Sequence, residues 1–157
     1  MNILDPDGKI VASSDPADTR RFDGMIIENA FLAGQELEGI SFEGSILRSC
    51  NFGSTDLYGA NFSDADCDSC SFKSADLRSS TLFGAKFRNS DLQGASFAID
   101  EMGAPTLLFE VDFSSANLND TNFDGALFDE STTFPRGFDL NRSGLRPRGL
   151  AEPPQRR

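Results

Sequence analysis

Large apolar residues recur at every fifth position along most of this 157-residue chain. From Phe22 to Phe97 the spacing holds for sixteen successive positions, and only Cys67 is clearly smaller than the others. A period of five matches neither the 3.6-residue period of an amphipathic helix nor the two-residue period of an ordinary strand. Each five-residue unit must therefore combine an extended step with a bend, and the chain is expected to fold as an array of short repeats.

A second column of residues lies two positions before each apolar centre. Between Ser45 and Ala95 this column contains only Ser, Thr, Cys and Ala. Both columns are expected to point inward, and the Gly, Ser or Asn two positions after most centres suits the bend. The predicted core includes Phe22, Phe42, Leu47, Phe52, Leu57, Phe62, Cys67, Phe72, Leu77, Leu82, Phe87, Leu92, Phe97, Phe113, Leu118, Phe123 and Phe128.

The register of the pattern changes after Phe97. The centres resume at Leu108, so the stretch 98–107 contains one extra residue. We interpret it as a one-residue register slip that appears as a bulge on one side of the array, with Met102 filling the skipped centre.

Three of the repeats resemble the A(D/N)LXX motif of the pentapeptide-repeat family. They are Ala60-Asn61-Phe62-Ser63-Asp64, Ala75-Asp76-Leu77-Arg78-Ser79 and Ala116-Asn117-Leu118-Asn119-Asp120, and the resemblance covers roughly residues 20–135. It implies an all-β fold, a right-handed quadrilateral parallel β-helix of four pentapeptides per coil and about five to six coils.

Such a stack needs a cap at each end, because an open rung presents unpaired backbone groups. We predict an N-terminal cap at 1–21, with a turn at Asp7-Gly8 and a strand over 9–12, a β-helix at 22–132, and a C-terminal cap at 133–144. Pro135 would end the ladder there. Residues 145–157 are predicted to be a flexible basic tail. An uncapped end would favour association, so a monomer and an end-to-end homodimer are both open.

The charge distribution narrows the function classes. The chain has 25 acidic and 14 basic residues and no His, with a net charge of −11. This charge disfavours direct binding to nucleic acid or to anionic membranes. The absence of His excludes Ser-His-Asp and Cys-His nucleophiles and His-ligated metals. We expect no catalytic residue, cofactor or metal site. Without a signal peptide or a long apolar run, a cytoplasmic location is expected.

The three cysteines form the one group of soft ligands in the sequence. Cys67 and Cys70 have the CxxC spacing, but Cys67 occupies a centre and Cys70 a small inward position. Cys50 is twenty residues before Cys70 and should stack with it. We interpret all three as reduced core residues, because disulfides are rare in cytosolic proteins.

An acidic column is the first candidate interaction surface. Glu36, Asp56 and Asp76 precede centres on the same predicted side. The family resemblance implies a function for such a column, since quinolone-resistance members resemble duplex DNA in size and charge and bind DNA gyrase. An alternative function is therefore a DNA mimic that binds DNA gyrase or topoisomerase and modulates or protects it. The sequence departs from those proteins in lacking long inserted loops.

The second candidate surface consists of apolar residues at positions directly before the centres, where the repeat normally has a polar residue. Ile26, Ile46, Leu107 and Leu127 all directly precede centres, and we predict that they share the second side of the array. Exposed apolar groups of this kind mark interaction sites unless terminal segments cover them. The main hypothesis is a noncatalytic, rigid protein–protein interaction or scaffold module whose protein partner the sequence does not identify.

Overall fold

Parallel pairing between residues one coil apart builds the body of the protein. The structure is a computed structural model, and it describes residues 1–149. Residues twenty apart, such as Asn51 and Ser71, form parallel bridges. A centre residue donates its backbone N–H to the coil above, as Leu47 does to the Asp66 carbonyl at 2.7 Å. Asp66, which precedes a centre, donates downward to Ser45 at 2.8 Å. The chain is therefore an all-β solenoid, as predicted.

Regular elements are short because each side of a coil is only a few residues wide. An antiparallel hairpin is formed by β1 (Asn2–Leu4) and β2 (Ile10–Ser13). Parallel pairs follow, with β3 (Ile26–Glu28) on β4 (Ile46–Arg48), and with β5 (Leu107–Leu108), β6 (Leu127–Phe128) and β7 (Arg146–Pro147) in one sheet. A 3-10 helix spans Leu140–Arg142.

The solenoid has four sides, which we number in chain order. The residues that precede the centres define each side. Side 1 carries Arg21, Ser41, Asn61, Thr81, Leu107, Leu127 and Arg146, and side 2 carries Ile26, Ile46, Asp66, Lys86, Asp112 and Thr133. Side 3 carries Phe31, Asn51, Ser71, Asp91 and Asn117, and side 4 carries Glu36, Asp56, Asp76, Ser96 and Asn122.

Stacked phenylalanine rings fill the interior. Phe52 lies parallel to Phe72 with ring centres 4.7 Å apart, and Phe97 lies on Phe123 at 5.2 Å. Rings from opposite sides meet edge to face, as Phe52 and Phe62 do at 5.9 Å, and aromatic pairs favour this arrangement too. Most predicted core residues are fully buried, whereas Leu118 and Phe128 are only partly buried because they belong to the last coils.

The small inward column provides hydrogen bonds as well as space. The hydroxyls of Ser45, Thr55 and Ser90 donate to the carbonyls of Phe22, Leu32 and Cys67, at 2.6, 2.8 and 2.6 Å. In each case the acceptor lies 23 residues earlier, at a centre of the coil below. Buried carbonyls thus gain a partner, as buried polar groups require.

Each bend places one residue in the left-handed backbone region. Ser54 and Asp64 have φ of 53° and 55°, and Gly44 has 64°. The turn closes when the next residue donates back to the centre carbonyl, as Ser45 does to Phe42 at 3.0 Å. Short polar residues and glycine tolerate this conformation best, which explains their recurrence two positions after the centres.

The one-residue bulge predicted within residues 98–107 is wrong. Thr81 pairs with Leu107, so this coil spans 26 residues where the coils below it span 20. Six residues are looped out, and Met102 fills no centre, since it is 93% exposed. The loop thus contains the extra residue and one whole pentapeptide that joins no side. The stack tolerates such a loop because the ladder requires pairing between coils, not a constant number of residues between pairs.

The inserted loop also corrects the assignment of sides. Leu107 and Leu127 follow Thr81 on side 1 and do not share side 2 with Ile26 and Ile46. Phe113 accordingly stacks on Phe87, at 5.6 Å, within the column of side 2. The expected single apolar side is therefore two separate patches.

The N-terminal hairpin closes the lower end of the stack. Ile3 is buried in the core, and the Leu4 carbonyl accepts the backbone N–H of Phe31 at 2.8 Å. The hairpin thereby replaces a missing coil on side 3. Asp5 accepts the backbone N–H groups of Asp7 and Lys9, which holds the turn between the two strands.

Aromatic rings and a proline close the upper end. Phe134 and Phe138 stack at 4.8 Å and lie against Phe113 and Phe123. Pro147 pairs with Phe128, so it occupies a centre, the position whose N–H points upward. Because proline has no N–H, the outer edge of β7 lacks a donor at that position.

The predicted start of the flexible tail is also wrong. Residues 146 and 147 form β7, Leu145 packs against the core, and Arg148 donates its N–H to Phe128 at 2.8 Å. The prolines and low apolar content of the segment favoured a flexible tail. Proline is nevertheless compatible with an edge strand, because it can still pair on the inner side. The rest of the predicted tail, residues 150–157, lies outside the described residues.

Candidate interaction surfaces

The cysteines occupy structural positions. All three are free and buried. The thiols of Cys50 and Cys70 donate to the carbonyls of Ile27 and Leu47, at 3.5 and 3.3 Å, as the hydroxyls of the same column do. Hydrogen bonding with Cys50 and burial both raise the pKa of Cys70, and burial raises that of Cys67. A protonated, inaccessible thiol is a poor nucleophile and metal ligand.

Among residues 1–149 the structure brings together no group of three or more His, Cys, Asp or Glu side chains suited to a metal ion. Over the same range there is no helix with the length and apolar character that crossing a membrane requires.

The acidic column lies on side 4 as a vertical row. Glu36, Asp56 and Asp76 are paired through their backbones in successive coils. Asp76 is held by Arg78, with Nη2 2.6 Å from Oδ2 and Nε 2.9 Å from Oδ1. Partial burial raises the pKa of Asp76, but the hydrogen bonds and charge of Arg78 outweigh it, and the pKa is lowered. The row is therefore locally neutralised at its upper end, where Arg78 pairs with Asp76.

The inserted loop folds back over side 4. Asp100 Oδ2 accepts the hydroxyls of Tyr58 and Ser79 at 2.9 and 2.8 Å, and Oδ1 accepts the backbone N–H groups of Met102 and Ala104. A groove of about 300 Å³ lies between the loop and the acidic row. No pattern in the sequence predicts this contact, since Tyr58 and Asp100 are 42 residues apart.

The loop attachment is expected to depend on pH. The backbone N–H of Ala104 and the hydroxyls of Ser79 and Tyr58 lower the pKa of Asp100 to about 2, from an ordinary value of 3.8. Because the folded-state pKa is depressed, the attachment is complete above pH 3.8 and is lost as the pH falls toward 2. NMR titration of the Asp100 carboxyl should show this low pKa.

Tyr58 is the single tyrosine of the chain and provides an optical probe of the same event. Its signal should change as the pH falls through about 2, the lowered pKa of Asp100. Asp100→Asn should remove that change, and Asp64→Asn, on an exposed residue of side 1, should not. Titration of Asp100 at its ordinary pKa would contradict the described hydrogen bonds.

Two apolar patches are exposed on different sides. The lower patch, on side 2, consists of Ile26, which is 64% exposed, and Ile46, which is half-buried. The upper patch, on side 1, consists of Leu107, Leu127, Phe83 and Phe109. Leu107 and Phe83 are 42% and 46% exposed. The upper patch is the larger, because aromatic residues beside the centres extend it.

Sequence reasoning placed Leu107 and Leu127 with the wrong neighbours. Phe83 and Phe109 lie in adjoining coils, since the Phe109 carbonyl accepts the N–H of Gly84 at 3.1 Å. The 26-residue coil brings Phe83 and Phe109 together, whereas a repeat of twenty residues throughout would place them on different sides.

Basic residues interrupt the acidic surface on the other sides of the solenoid. Arg48 pairs with Glu28 at 3.1 Å, and Lys73 pairs with Asp91 at 3.2 Å.

Stacked coils of five-residue units with a phenylalanine core, four flat sides and short caps define a pentapeptide β-solenoid. The family model for pentapeptide repeats matches eight copies, over residues 28–64, 60–97 and 107–132. The chain belongs to the pentapeptide-repeat family.

Several solved structures are similar to this chain. Alr5209, a pentapeptide-repeat protein from Nostoc PCC 7120, is 26% identical over 71% of this chain and 84% of its own, with a TM-score of 0.41. HetL, from Nostoc sp. strain PCC 7120 and involved in heterocyst differentiation regulation, is 16% identical over 83% and 73%, with a TM-score of 0.48. QnrB1, a plasmid-mediated fluoroquinolone resistance protein, is 18% identical over 83% and 86%, with a TM-score of 0.45. Among curated proteins, none matches the sequence.

Proposed function

We propose that this protein is a noncatalytic, rigid scaffold that binds a protein partner through the upper patch. The observation that carries the proposal is the exposure of Phe83 and Leu107 in adjoining coils of side 1. Contiguous exposed apolar groups on an otherwise polar surface are typical of interaction sites.

The backbone of the solenoid supports this function. Ladder hydrogen bonds and stacked rings hold the coils together on every side. A surface presented by such a frame loses little conformational entropy on binding. The buried thiols and the open groove on side 4 favour binding over chemistry, because reaction sites are typically enclosed and water-excluded.

DNA mimicry is the second candidate, and it rests on the acidic row of side 4. A mimic of duplex DNA requires a continuous negative stripe. Here Arg78 neutralises Asp76, and Ser96 and Asn122 replace acidic residues in the coils above. The row therefore spans three coils only, which is why we favour the scaffold.

Affinity capture with paired variants tests the scaffold. Phe83→Ser with Leu107→Ser should abolish capture of the partner, whereas Ile26→Ser with Ile46→Ser, on the lower patch, should leave it unchanged. Both pairs replace two apolar side chains on outward positions of the solenoid, so general loss of stability is tested by the control pair as well. Capture of the same proteins by the upper-patch variant would refute the proposal.

A gyrase supercoiling assay, with and without a fluoroquinolone, tests the second candidate. The scaffold predicts no effect at micromolar protein. Inhibition or drug protection that disappears in Asp56→Lys with Asp76→Lys would instead favour the DNA mimic.

A further inference from the structure

The upper patch repeats along the stack with the spacing of the coils. Its apolar side chains lie in three successive coils, with Phe83 in the first, Leu107 in the second and Leu127 in the third. Successive coils are about 4.8 Å apart, the spacing of neighbouring strands. A partner segment that follows the stack and contacts every coil must therefore place an apolar side chain about every 5 Å along its length.

An α-helix has this spacing. Residues three and four apart share one face of a helix and rise by about 4.5 and 6 Å, so an apolar stripe advances about 5.4 Å per turn. Alternate residues of a strand, which also share a face, are roughly 6.7 Å apart and lose register with the coils within two steps. Three turns of helix, about 11 residues, would cover the three coils.

The backbone of side 1 also favours a helical partner over an extended one. The Leu127 N–H donates to the Thr106 carbonyl at 3.0 Å, and the Gly84 N–H donates to the Phe109 carbonyl at 3.1 Å. These hydrogen bonds run between coils, so the outward surface of the patch presents side chains and no backbone edge. A strand laid on it would gain no backbone partner, whereas a helix satisfies its own backbone groups.

Carboxylates line one edge of the upper patch. Asp64, Glu110 and Glu130 each lie two residues after a centre of side 1, at the corner with side 2. All three are exposed, and in the described part of the chain none of them forms an ion pair. Arg148, whose guanidinium lies over the Phe109 ring, offsets one of these charges and leaves the edge negative.

We propose that the segment bound by the upper patch is an amphipathic α-helix aligned with the stack, with an apolar stripe and a row of Lys or Arg on one flank. The inference rests on the proposed function and specifies the chemistry of its partner. The stripe would pack on Phe83, Leu107 and Leu127, and the basic flank would face the three carboxylates. Because exposed ion pairs contribute little each, the stripe provides most of the affinity and the flank fixes the direction of the helix.

A labelled synthetic peptide tests the inference on the full chain. The probe is a peptide of about 18 residues, built from Leu, Lys and Ala, with leucines in one stripe and lysines on one flank. Fluorescence anisotropy should show binding. A peptide of the same composition, ordered so that Leu and Lys surround the helix, should bind many-fold more weakly, and so should a striped peptide with Glu in place of Lys.

Paired variants locate the charge contribution. Glu110→Gln with Glu130→Gln should weaken binding of the probe several-fold, and the difference should shrink at high salt because exposed charges are screened. The matched control, Glu101→Gln with Asp120→Asn, removes two charges from exposed residues of the inserted loop and of the corner after side 3, and should leave the affinity nearly unchanged.

The apolar contribution is tested with Phe83→Ser combined with Leu107→Ser, which should abolish binding of the probe. Equal affinity for the striped and the reordered peptide, or equal weakening by the two acid-to-amide pairs, would overturn the inference, since binding would then follow net charge alone.

The probe replaces the natural partner, so its result is separate from affinity capture. Probe binding that depends on Phe83 and Leu107, with capture that does not, rejects the scaffold alone. Capture that depends on these two residues, without binding of the probe, rejects the helical partner alone.

Discussion

Replacement of Phe62 by alanine is expected to lower the free energy of unfolding by about 3–5 kcal/mol, the range for a fully buried phenylalanine. The Phe62 ring is inaccessible and lies 5.4 Å from Phe42, with Phe52 and Phe72 edge to face at 5.9 Å. Ladder bonds above and below hold the coil, so the cavity cannot close by collapse. Urea unfolding followed by circular dichroism measures the change.

The matched control is Phe83→Ala, the same substitution in the coil above Phe62. Phe83 is 46% exposed, so its loss should cost about 1 kcal/mol. Comparable losses for the two variants would contradict the description of the core. A change in the denaturant slope would point instead to unfolding in more than one step.

Gly125→Ala is expected to destabilise the protein by about 2–4 kcal/mol, from two separate causes. The backbone of Gly125 has φ of 75°, where a side chain is strained. A Cβ there would also lie 2.5 Å from Cγ2 of Ile99, the residue that begins the inserted loop. Urea or thermal unfolding of Gly125→Ala, alone and combined with Ile99→Ala, separates the backbone strain from the close contact.

Gly59→Ala isolates the backbone cause, because its φ is 65° and nothing lies within 4 Å of the added Cβ. It should cost about 1–2 kcal/mol. In an Ile99→Ala background, the cost of Gly125→Ala should fall to the same value, since the close contact is gone. If the cost does not change in that background, Ile99 does not pack on Gly125 as described.

The repeat itself could be predicted from the sequence because it depends on local chemistry. Every centre from Phe22 to Phe97 needs an apolar side chain, and every bend needs a residue that tolerates positive φ. A five-residue pattern records both requirements directly. Local chemistry also predicted the caps, through Asp7-Gly8 and through the phenylalanines around Pro135. The expectation that Pro135 ends the ladder is wrong, since β7 pairs with β6 beyond it on side 1.

The pairing across the inserted loop could not be predicted. The sequence shows one extra residue modulo five, and a bulge of one residue and a loop of six leave the same trace. The two differ only in which side of the solenoid Leu107 joins, and its long-range pairing with Thr81 decides that. Both the loop on side 4 and the upper patch on side 1 follow from this choice, so the candidate surfaces were the least predictable part.

Pro147 has a consequence for the length of the molecule. A ladder of equivalent rungs has no internal limit, and an exposed edge of this kind can recruit further chains into fibrils. On side 1 the last described strand, β7, cannot pair fully with a further strand. Pro147 has a ring in place of the backbone N–H that would donate to that strand. The protein thus carries its own stop to growth on that side, set by a single residue.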